Sequence, residues 1–545
     1  VLLAPDTTWD PSTLHLVIAR ETALSGSIPL AVDHPYLFNF FGSHTLLGWG
    51  FLLAGPEGEV AGRTLLASLV GLGTALVCRR VGRATRPRVG LVCLALLIGT
   101  PLWLLQWGTA MIDIVVFTWS AAGLALQLRS PERRWHLLGM LCLAMGAASK
   151  HLGVLLPVAL AGVWTLESLR SRRALPWRRA LLLGCLCLAF ATPWLWKNHQ
   201  AYGKPFYLER GDADPQVMAA HRVVAGDSDT RRSPPVAEAA PLKRSGVSHP
   251  LAAVLSIASG DPWNGSMHPL LFCLLPIGVL LWRSRQGAGL ALIALGSLAG
   301  FLASLPDVDN GSLTRYFFNL SPPFLLLAAL GWEAFAAGGP RRARIAWILL
   351  AAATLPAVGL GALRSARRIP LLAGAVAPAQ YWKVRDPAAP LIEEINDGFA
   401  AEERLYFVGD RVGLLRIPRR QLVRTYQAHW AGVRSAADLA AALEAWGITH
   451  VLVNDAPGEV WHGLRREWIV GPESALKAWR MAREDGAARL YLRRKGMPSA
   501  SRSPGERSGP LTGRERETGG GRSWPRGKGP ISPVETAESS LSEER

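Results

Sequence analysis

Ionisable residues in this sequence stand at the ends of long apolar segments. Asp113, Lys150 and Arg315 each occupy such an end, whereas the middles of these segments are nearly free of charge. A charge at the centre of a membrane helix costs about 2.5 kcal/mol or more on insertion scales. The presence of each of these charged residues beside an apolar segment therefore needs a structural or functional explanation. Further polar residues share this placement: His151, Lys197 and Asn198 at segment ends, and Asp6, Asp10 and His15 before the first segment.

Acids that accept a proton, beside cations that stabilise developing negative charge, are the groups that a transfer reaction needs. Their position at the segment ends favours an enzyme that acts at the surface of a bilayer. A transporter would more often place its ionisable groups near the midplane. Two other hypotheses stay open beside the enzyme. The protein could be a lipid or polysaccharide transporter or flippase, or a non-catalytic membrane assembly protein.

The apolar segments predict a polytopic α-helical membrane protein. Only 18% of the 545 residues are charged, against roughly a quarter in soluble domains. Runs of about 17 to 20 apolar residues can cross a hydrocarbon core of about 30 Å. The candidate spans cover residues 63–77, 89–106, 111–128, 136–149, 152–168, 180–196, 269–282, 288–305, 316–337 and 345–361.

The formal net charge of +18 does not indicate a nucleic-acid-binding protein. Arginines crowd into alternate short loops, as at Arg79–Arg88, Arg170–Arg179 and Arg341–Arg344. This alternation is the positive-inside pattern, whereas a basic surface for nucleic acid would not skip every second loop. It places the arginine-rich loops in the cytoplasm and orients every span across the membrane.

With this orientation, the ends that carry Asp113, Lys150 and Arg315 lie outside, together with everything after Arg364. One group of cations, Arg364, Arg367 and Arg368, breaks the pattern, because it falls on the outer side.

The composition divides the chain into four regions. Residues 1–60 form an outer N-terminal segment with amphipathic helices, and residues 61–361 form the transmembrane bundle with an outer loop at 197–268. Residues 386–496 form a small extracytoplasmic α/β domain, and residues 499–545 form a disordered tail rich in Ser, Gly and Pro. Because the chain opens on Val1 instead of Met, we expect an upstream piece that holds a first membrane helix.

Within the α/β region, three segments have the alternation and composition of strands: Leu405–Val408, His450–Val453 and Leu490–Leu492. Ser435–Trp446 reads as a helix with Ser435 as its N-cap and Gly447 as its stop.

Several short motifs occur in the order found in the GT-C glycosyltransferases: Trp9-Asp10-Pro-Ser-Thr-Leu-His15, Ala110-Met-Ile-Asp113, Ala148-Ser-Lys150-His-Leu-Gly153, Pro193-Trp-Leu-Trp-Lys197-Asn198 and Thr314-Arg315-Tyr316. Over roughly residues 5 to 340 the chain resembles the bacterial branch of this superfamily near protein mannosyltransferases and 4-amino-arabinose transferases. The resemblance implies a GT-C-like helix bundle.

The resemblance also implies transfer of a sugar from a polyprenyl-phosphate donor to a hydroxyl or amine outside the cytoplasmic membrane. The partners would be membrane lipids, the lipid-linked donor and an envelope acceptor that is a lipid, a glycan or a protein. No clear metal-binding motif of the DxD type is present, which leaves dependence on a divalent metal open.

The roles implied for single residues follow from the matched motifs. Asp10 is the candidate base, with Asp6 as the competing acid. Lys150 and Arg315 are candidate phosphate ligands, and either could instead extend to the interface as long cations do. Asp113 is a candidate holder of a cation or a helix-start acid. His15 and His151 are candidate phosphate donors or proton carriers, or else polar histidines at the interface. Lys197 and Asn198 would position substrate or merely end a span, and Tyr316 is a sugar platform or an interface anchor.

The sequence departs from the family pattern around the candidate base. Asp10 is followed by Pro11 where the family has a paired Asp-Glu, and Leu14 stands where an aromatic residue is usual. These departures leave open which acid acts.

Overall fold

The computed structural model describes most of the apolar segments and most of the α/β region. The described residues are 15–26, 42–55, 58–128, 132–172, 176–202, 205, 267–280, 285–303, 313–366, 368–376, 381, 386–409, 415–417, 421–425, 428, 433–455, 464–470 and 474–493. Asp6, Asp10 and the predicted tail at 499–545 lie outside these ranges.

The first part of the chain is helical. Its helices are α1 (Leu16–Ser25), α2 (Gly42–Ala54), α3 (Glu59–Ala84), α4 (Pro87–Ile98), α5 (Pro101–Gln106), α6 (Asp113–Gln127), α7 (Arg133–Ser149), α8 (Leu155–Arg170), α9 (Trp177–Tyr202), α10 (Pro269–Leu280), α11 (Arg285–Ala303), α12 (Leu313–Leu320), α13 (Pro322–Ala336), α14 (Pro340–Ala366) and α15 (Ile369–Leu372). A 3-10 turn, His151–Val154, leads into α8.

Four helical stretches in the described part are long and apolar enough to cross a membrane: Glu59–Ala84, His151–Arg170, Trp177–Gln200 and Pro340–Ala366. Shorter apolar helices pack with them: Pro87–Ile98, Asp113–Gln127, Pro269–Gly278, Gly287–Ala303 and Pro322–Ala336. The chain is therefore a helical polytopic membrane protein, as its sequence predicts.

Two predicted spans are not continuous helices. The span expected at 89–106 breaks after Ile98, and a new helix starts at Pro101. The span expected at 316–337 breaks at Ser321, before Pro322. In both cases a proline stands at the first position of the second helix, where its missing N–H costs nothing and its fixed φ favours a new start. Periodicity alone does not reveal such breaks.

The two ends of the bundle carry different charges. At one end, Arg88 at the start of α4 donates to Glu333 near the end of α13 at 2.6 Å, and Arg86 donates to the same carboxylate at 3.0 Å. From Arg88 the chain runs through α4 and α5 to Asp113, and from Glu333 it runs back through α13 and α12 to Arg315. Asp113 and Arg315 therefore meet at the opposite end of the bundle from the Arg86 and Arg88 loop.

The α/β region contains a five-stranded mixed sheet. Its elements are α16 (Ala389–Gly398), β1 (Leu405–Val408), β2 (Leu422–Arg424), α17 (Ala436–Ala445), β3 (His450–Asn454), α18 (Arg466–Ile469), β4 (Arg480–Asp485) and β5 (Ala488–Leu492). The strand order is β2-β1-β3-β5-β4, in which β1 pairs parallel with β2 and β3, and β5 pairs antiparallel with β3 and β4. The three predicted strands are confirmed as β1, β3 and β5.

Helix α17 confirms the predicted capping. Ser435 Oγ accepts a hydrogen bond from the Asp438 N–H at 3.1 Å, which satisfies one of the unpaired donors of the first turn. Leu439 and Leu443, one turn apart, are buried against the sheet core. Gly447 has φ +64°, the left-handed conformation that ends a helix without a Cβ penalty.

Helix α1 contributes to two hydrophobic cores. Leu16 and Ala19 are buried in the core of the helix bundle. Val17 packs against the cluster formed by α16 and one face of the sheet, which includes Leu391 and Phe407. The α/β region is thus in contact with the bundle through this short helix.

Candidate active site

A single buried carboxylate organises the polar cluster at the Asp113 end of the bundle. Asp113 Oδ1 accepts a hydrogen bond from Lys150 Nζ at 2.6 Å, and Oδ2 accepts one from Arg315 Nε at 2.6 Å. Asn319 Nδ2 donates to Oδ1 at 2.9 Å. The carboxylate therefore ties together the start of α6, the residue that follows α7, and α12. We call Asp113, Lys150, Arg315, Tyr316 and Asn319 the Asp113 cluster.

The positions of Asp113 and Lys150 agree with the dipoles of the helices that they begin and follow, whereas the position of Arg315 does not. Asp113 is the first residue of α6, and Lys150 directly follows α7. A negative charge is favoured at a helix N-terminus and a positive charge at a C-terminus. Arg315 lies in the first turn of α12, where a cation is disfavoured, so its pairing with Asp113 offsets that cost.

Close packing of α6 on α7 brings Asp113 and Lys150 into contact. A Cβ added at Gly139 of α7 would lie 3.0 Å from the Gly123 carbonyl oxygen of α6, and one at Gly123 would lie 2.6 Å from Leu143 Cγ. Small residues at such positions let two membrane helices approach closely. A larger side chain at either glycine would separate the helices that carry the ion pair.

Helix α12 presents its polar face to Asp113. Arg315 and Asn319 are four residues apart and lie on the same face of the helix. The Phe318 ring stacks on Phe117 of α6 with ring centroids 4.6 Å apart and planes 6° apart. This aromatic contact holds α12 on α6 at the level where Arg315 and Asn319 reach the carboxylate.

Tyr316 lies against both cations of the cluster. Lys150 Nζ is 4.2 Å from the centroid of its ring, and the Arg315 guanidinium carbon is 5.7 Å from it. The ring face attracts a cation and restricts where the ammonium group can move. Tyr316 is therefore part of the cluster.

The cations of the cluster keep some solvent access, whereas the acid does not. The side chains of Lys150 and Arg315 are 9% and 13% exposed, and that of Asp113 is 0% exposed. A molecule that enters from the surface can thus reach the two cations, but it cannot reach the carboxylate that holds them.

His15 lies beside the cluster and is uncharged at neutral pH. Burial, together with the positive charges of Arg315 and Lys150, lowers the pKa of His15 to about 3, against the opposing effect of Asp113. Its Nδ1 is 2.9 Å from His44 Nε2, and both rings are buried. The His15 Nε2 has no hydrogen-bond partner among the residues that the structure describes.

The other predicted site residues take different positions. His151 follows Lys150 but its side chain is exposed. Lys197 and Asn198 are buried in α9, which packs on α7, and Asn198 Nδ2 donates to the Pro205 carbonyl at 3.5 Å. The two candidate bases, Asp6 and Asp10, fall outside the described residues, so the structure does not position them.

Sequence reasoning missed Asn319 and His44. The spacing of Arg315 and Asn319 by one helical turn was the available signal for Asn319, since it places both on one polar face of an otherwise apolar helix. For His44 no comparable signal exists, because its partner His15 is 29 residues away. Within the described ranges, no group of three His, Cys, Asp or Glu side chains converges to hold a metal ion.

The sequence matches no protein-family model and no curated protein. The structure, however, is similar to ArnT from Cupriavidus metallidurans at 16% identity. The TM-score is 0.54 for ArnT in the apo state, over 90% of this chain and 93% of ArnT, and 0.56 for ArnT bound to undecaprenyl phosphate, over 91% and 95%. An oligosaccharyltransferase from Archaeoglobus fulgidus, tethered with an acceptor peptide, gives 0.48 at 12% identity over 83% of this chain and 65% of that protein. The similarity to ArnT confirms the GT-C fold that the motifs predicted.

Proposed function

We propose that this protein is a membrane glycosyltransferase that transfers a sugar from a polyprenyl-phosphate-linked donor to a hydroxyl or amine of an envelope acceptor. The reaction would take place at the outer face of the cytoplasmic membrane, with the α/β domain on the same side. The observation that carries the proposal is the Asp113 cluster, in which one buried acid fixes two surface-reaching cations at the helix ends of a GT-C fold.

The chemistry requires a leaving group to be stabilised. The acceptor oxygen or nitrogen forms a bond to the anomeric carbon, and the bond from that carbon to the phosphate oxygen breaks. The electron pair of the broken bond stays on the phosphate, whose negative charge increases. Fixed cations at that position stabilise the transition state more than the ground state, which is how they accelerate the reaction.

The geometry supports a division of roles within the cluster. Lys150 and Arg315 reach the surface and would bind the donor phosphate, while Asp113, which is fully buried, would position both of them. Asn319 restricts the Asp113 carboxylate, and Tyr316 restricts the Lys150 ammonium group. A lipid-borne phosphate can approach such a site while its tail stays in the bilayer.

The base that takes the acceptor proton would be Asp10 or Asp6. His15, five residues after Asp10, lies beside the Asp113 cluster, which supports a location of this N-terminal segment at the same end of the bundle. Neutral His15 would add no charge to the phosphate site, and its Nε2 would be able to form a hydrogen bond with substrate. ArnT, whose fold this chain shares, binds undecaprenyl phosphate, and this supports a lipid-phosphate donor.

The proposal is tested by mass spectrometry of envelope glycolipids, glycans and glycoproteins from cells with and without the protein. We expect one glycoform to disappear when the gene is deleted and to return with the wild-type chain. Lys150→Met and Arg315→Met should each reduce that glycoform about 100-fold or more, on the scale of a lost electrostatic donor.

The matched control is Arg88→Met, which breaks an ion pair of similar length at the other end of the bundle. It should leave the glycoform near the wild-type level. An unchanged glycoform profile after deletion of the gene would refute the enzyme, and equal effects of the three variants would refute the site.

The base is tested separately with Asp10→Asn and Asp6→Asn. Loss of a general base should reduce the transfer rate by about 100-fold or more, so we expect this loss in Asp10→Asn, or in Asp6→Asn if the competing acid acts. Transfer that survives in both variants would contradict the assignment of an N-terminal acid as base.

The side of the membrane on which the α/β domain lies is tested with fusions at the C-terminus. If the domain lies outside, an alkaline phosphatase fusion should be active and a green fluorescent protein fusion should be dark.

A further inference from the structure

A cavity of about 110 Å³ lies between α5 and the last two turns of α14. Apolar side chains line most of it, among them Leu104, Leu105 and Leu360, and its polar lining residues include two cations, Arg364 and Arg368. Its volume is of the same order as that of cavities of about 150 Å³ that accept benzene. The cavity can therefore hold a segment of a hydrocarbon chain beside two positive charges.

The cavity lies at the same end of the bundle as the Asp113 cluster. Helix α14 starts next to the Glu333 end of α13, so its last turns reach the opposite end. There Gly361 faces α5, since a Cβ added to it would lie 3.2 Å from Leu104 Cδ1. Thr109, which also lines the cavity, precedes Asp113 by four residues.

The apolar residues beside the two arginines mark the level of the membrane surface. Leu363 is 68% exposed, Ile369 is 58% exposed and Leu372 is 46% exposed. Apolar side chains with that exposure belong in lipid, whereas guanidinium groups next to them belong at the headgroups. Arg364 and Arg368 thus lie at the boundary between hydrocarbon and headgroup.

These cations stand on the side of the membrane that the positive-inside pattern leaves poor in arginine. A cation retained there needs a counter-charge, and for Arg364 an anion at the same position would supply it. The exposed guanidinium of Arg364 contacts no carboxylate within the described ranges.

We propose that this cavity binds an anionic glycerophospholipid of the surrounding leaflet, with its phosphate on Arg364 and Arg368 and part of an acyl chain between α5 and α14. The carrier of the sugar is a different lipid, whose phosphate we assign to Lys150 and Arg315. The small volume of the cavity and the exposed apolar residues next to its arginines favour an abundant membrane phospholipid over a polyprenyl-linked sugar. This binding is independent of the transfer reaction.

The test is native mass spectrometry of the full-length protein in detergent, titrated with phosphatidylglycerol, phosphatidylcholine or undecaprenyl phosphate. We expect phosphatidylglycerol to bind more tightly than phosphatidylcholine. The double variant Arg364→Ala/Arg368→Ala should weaken phosphatidylglycerol binding about 30-fold, given about 1 kcal/mol for each cation near a membrane surface.

The matched control is Arg341→Ala/Arg344→Ala, which removes the same charge from exposed positions of the same helix at its other end. It should leave the affinity within about twofold of wild type. A third variant, Gly361→Leu, places side-chain atoms in the cavity and keeps both cations, so it should weaken binding. Its thermal unfolding in detergent, compared with wild type, checks that Leu104 makes room for the new side chain and that the variant folds.

Equal binding of both phospholipids, or equal affinities of the two double variants, would overturn the proposal. Preferential loss of undecaprenyl phosphate in Arg364→Ala/Arg368→Ala would instead assign the cavity to the sugar carrier and also overturn it. Because the readout is lipid mass and not product, it succeeds or fails separately from the glycoform assay.

Discussion

Asp113 Oδ2 and Arg315 Nε lie 2.6 Å apart although 202 residues separate them in the chain. The same carboxylate holds Lys150, which is 37 residues away. Three membrane elements therefore meet at one group with no solvent exposure. A buried ion pair gives little net stability by itself, but removal of one partner leaves an uncompensated charge.

The stability of the bundle should depend strongly on this carboxylate. Asp113→Asn keeps the side-chain volume but leaves Lys150 and Arg315 without their counter-charge. We expect the free energy of unfolding to fall by about 3 to 5 kcal/mol, as measured by denaturant unfolding in detergent.

The control for this variant is Glu333→Gln, which removes the acid at the other end of the bundle. Its partners Arg86 and Arg88 are 62% and 38% exposed, so the loss should be about 1 kcal/mol or less. Similar losses for the two variants would show that Asp113 does not hold a buried network.

Tyr316 should act through the face of its ring and not through its hydroxyl. Tyr316→Phe keeps the contact with Lys150 Nζ at 4.2 Å, whereas Tyr316→Leu removes it. A cation–π contact contributes about 0.5 to 2 kcal/mol, so kcat/KM for the donor should fall about 2- to 30-fold in the leucine variant and little in phenylalanine. An equal loss in both variants would assign the effect to the hydroxyl.

The stability of the folded protein should fall with acidification because of His15. Its pKa is about 3 in the folded state and near 6.5 when unfolded, so between these values the unfolded chain binds a proton that the native chain does not. The contribution of neutral His15 to the free energy of unfolding is therefore fully present above pH 6.5. It declines as the pH falls toward 3, and about 2 kcal/mol is lost at pH 5.

The comparison for this effect is His15→Gln, which keeps a hydrogen-bonding side chain but does not titrate. The difference in unfolding free energy between wild type and this variant should shrink by about 2 kcal/mol from pH 7 to pH 5. A difference that stays constant over this interval would mean that His15 is not buried in the folded protein.

The N-cap of α17 should set the local stability of the α/β domain. Ser435→Ala removes the acceptor of the Asp438 N–H and should cost about 1 kcal/mol. Hydrogen exchange of residues 436–445 should then quicken about fivefold, while Ser435→Asp, which retains an acceptor, should exchange near the wild-type rate. Unchanged exchange in Ser435→Ala would exclude a capping role.

Much of the fold follows from patterns that are local in the sequence. Apolar run length predicted the membrane bundle, and alternation predicted β1, β3 and β5. The edge strand β4 was missed because its sequence, Arg480–Asp485, is mostly charged and exposed, as edge strands often are. The three-residue strand β2 is too short to show a period of two.

The candidate site was predictable only as a location. Topology placed Asp113, Lys150 and Arg315 at one end of the bundle, and the structure confirms that they meet. The predicted topology could not show that a single carboxylate holds both cations, because that depends on the close approach of α6 and α7 at Gly123 and Gly139. The catalytic role of these residues remains a proposal, as does that of Asp10.

Helix α1 connects the sheet with the Asp113 cluster. Its Val17 packs against the α/β domain, and two residues earlier His15 lies beside Lys150 and Arg315. Because Val17 and His15 are less than one helical turn apart, a displacement of the sheet that shifts Val17 would also displace the His15 imidazole. Any molecule that binds the sheet and tilts it would thus change the geometry around Lys150 and Arg315 without touching them.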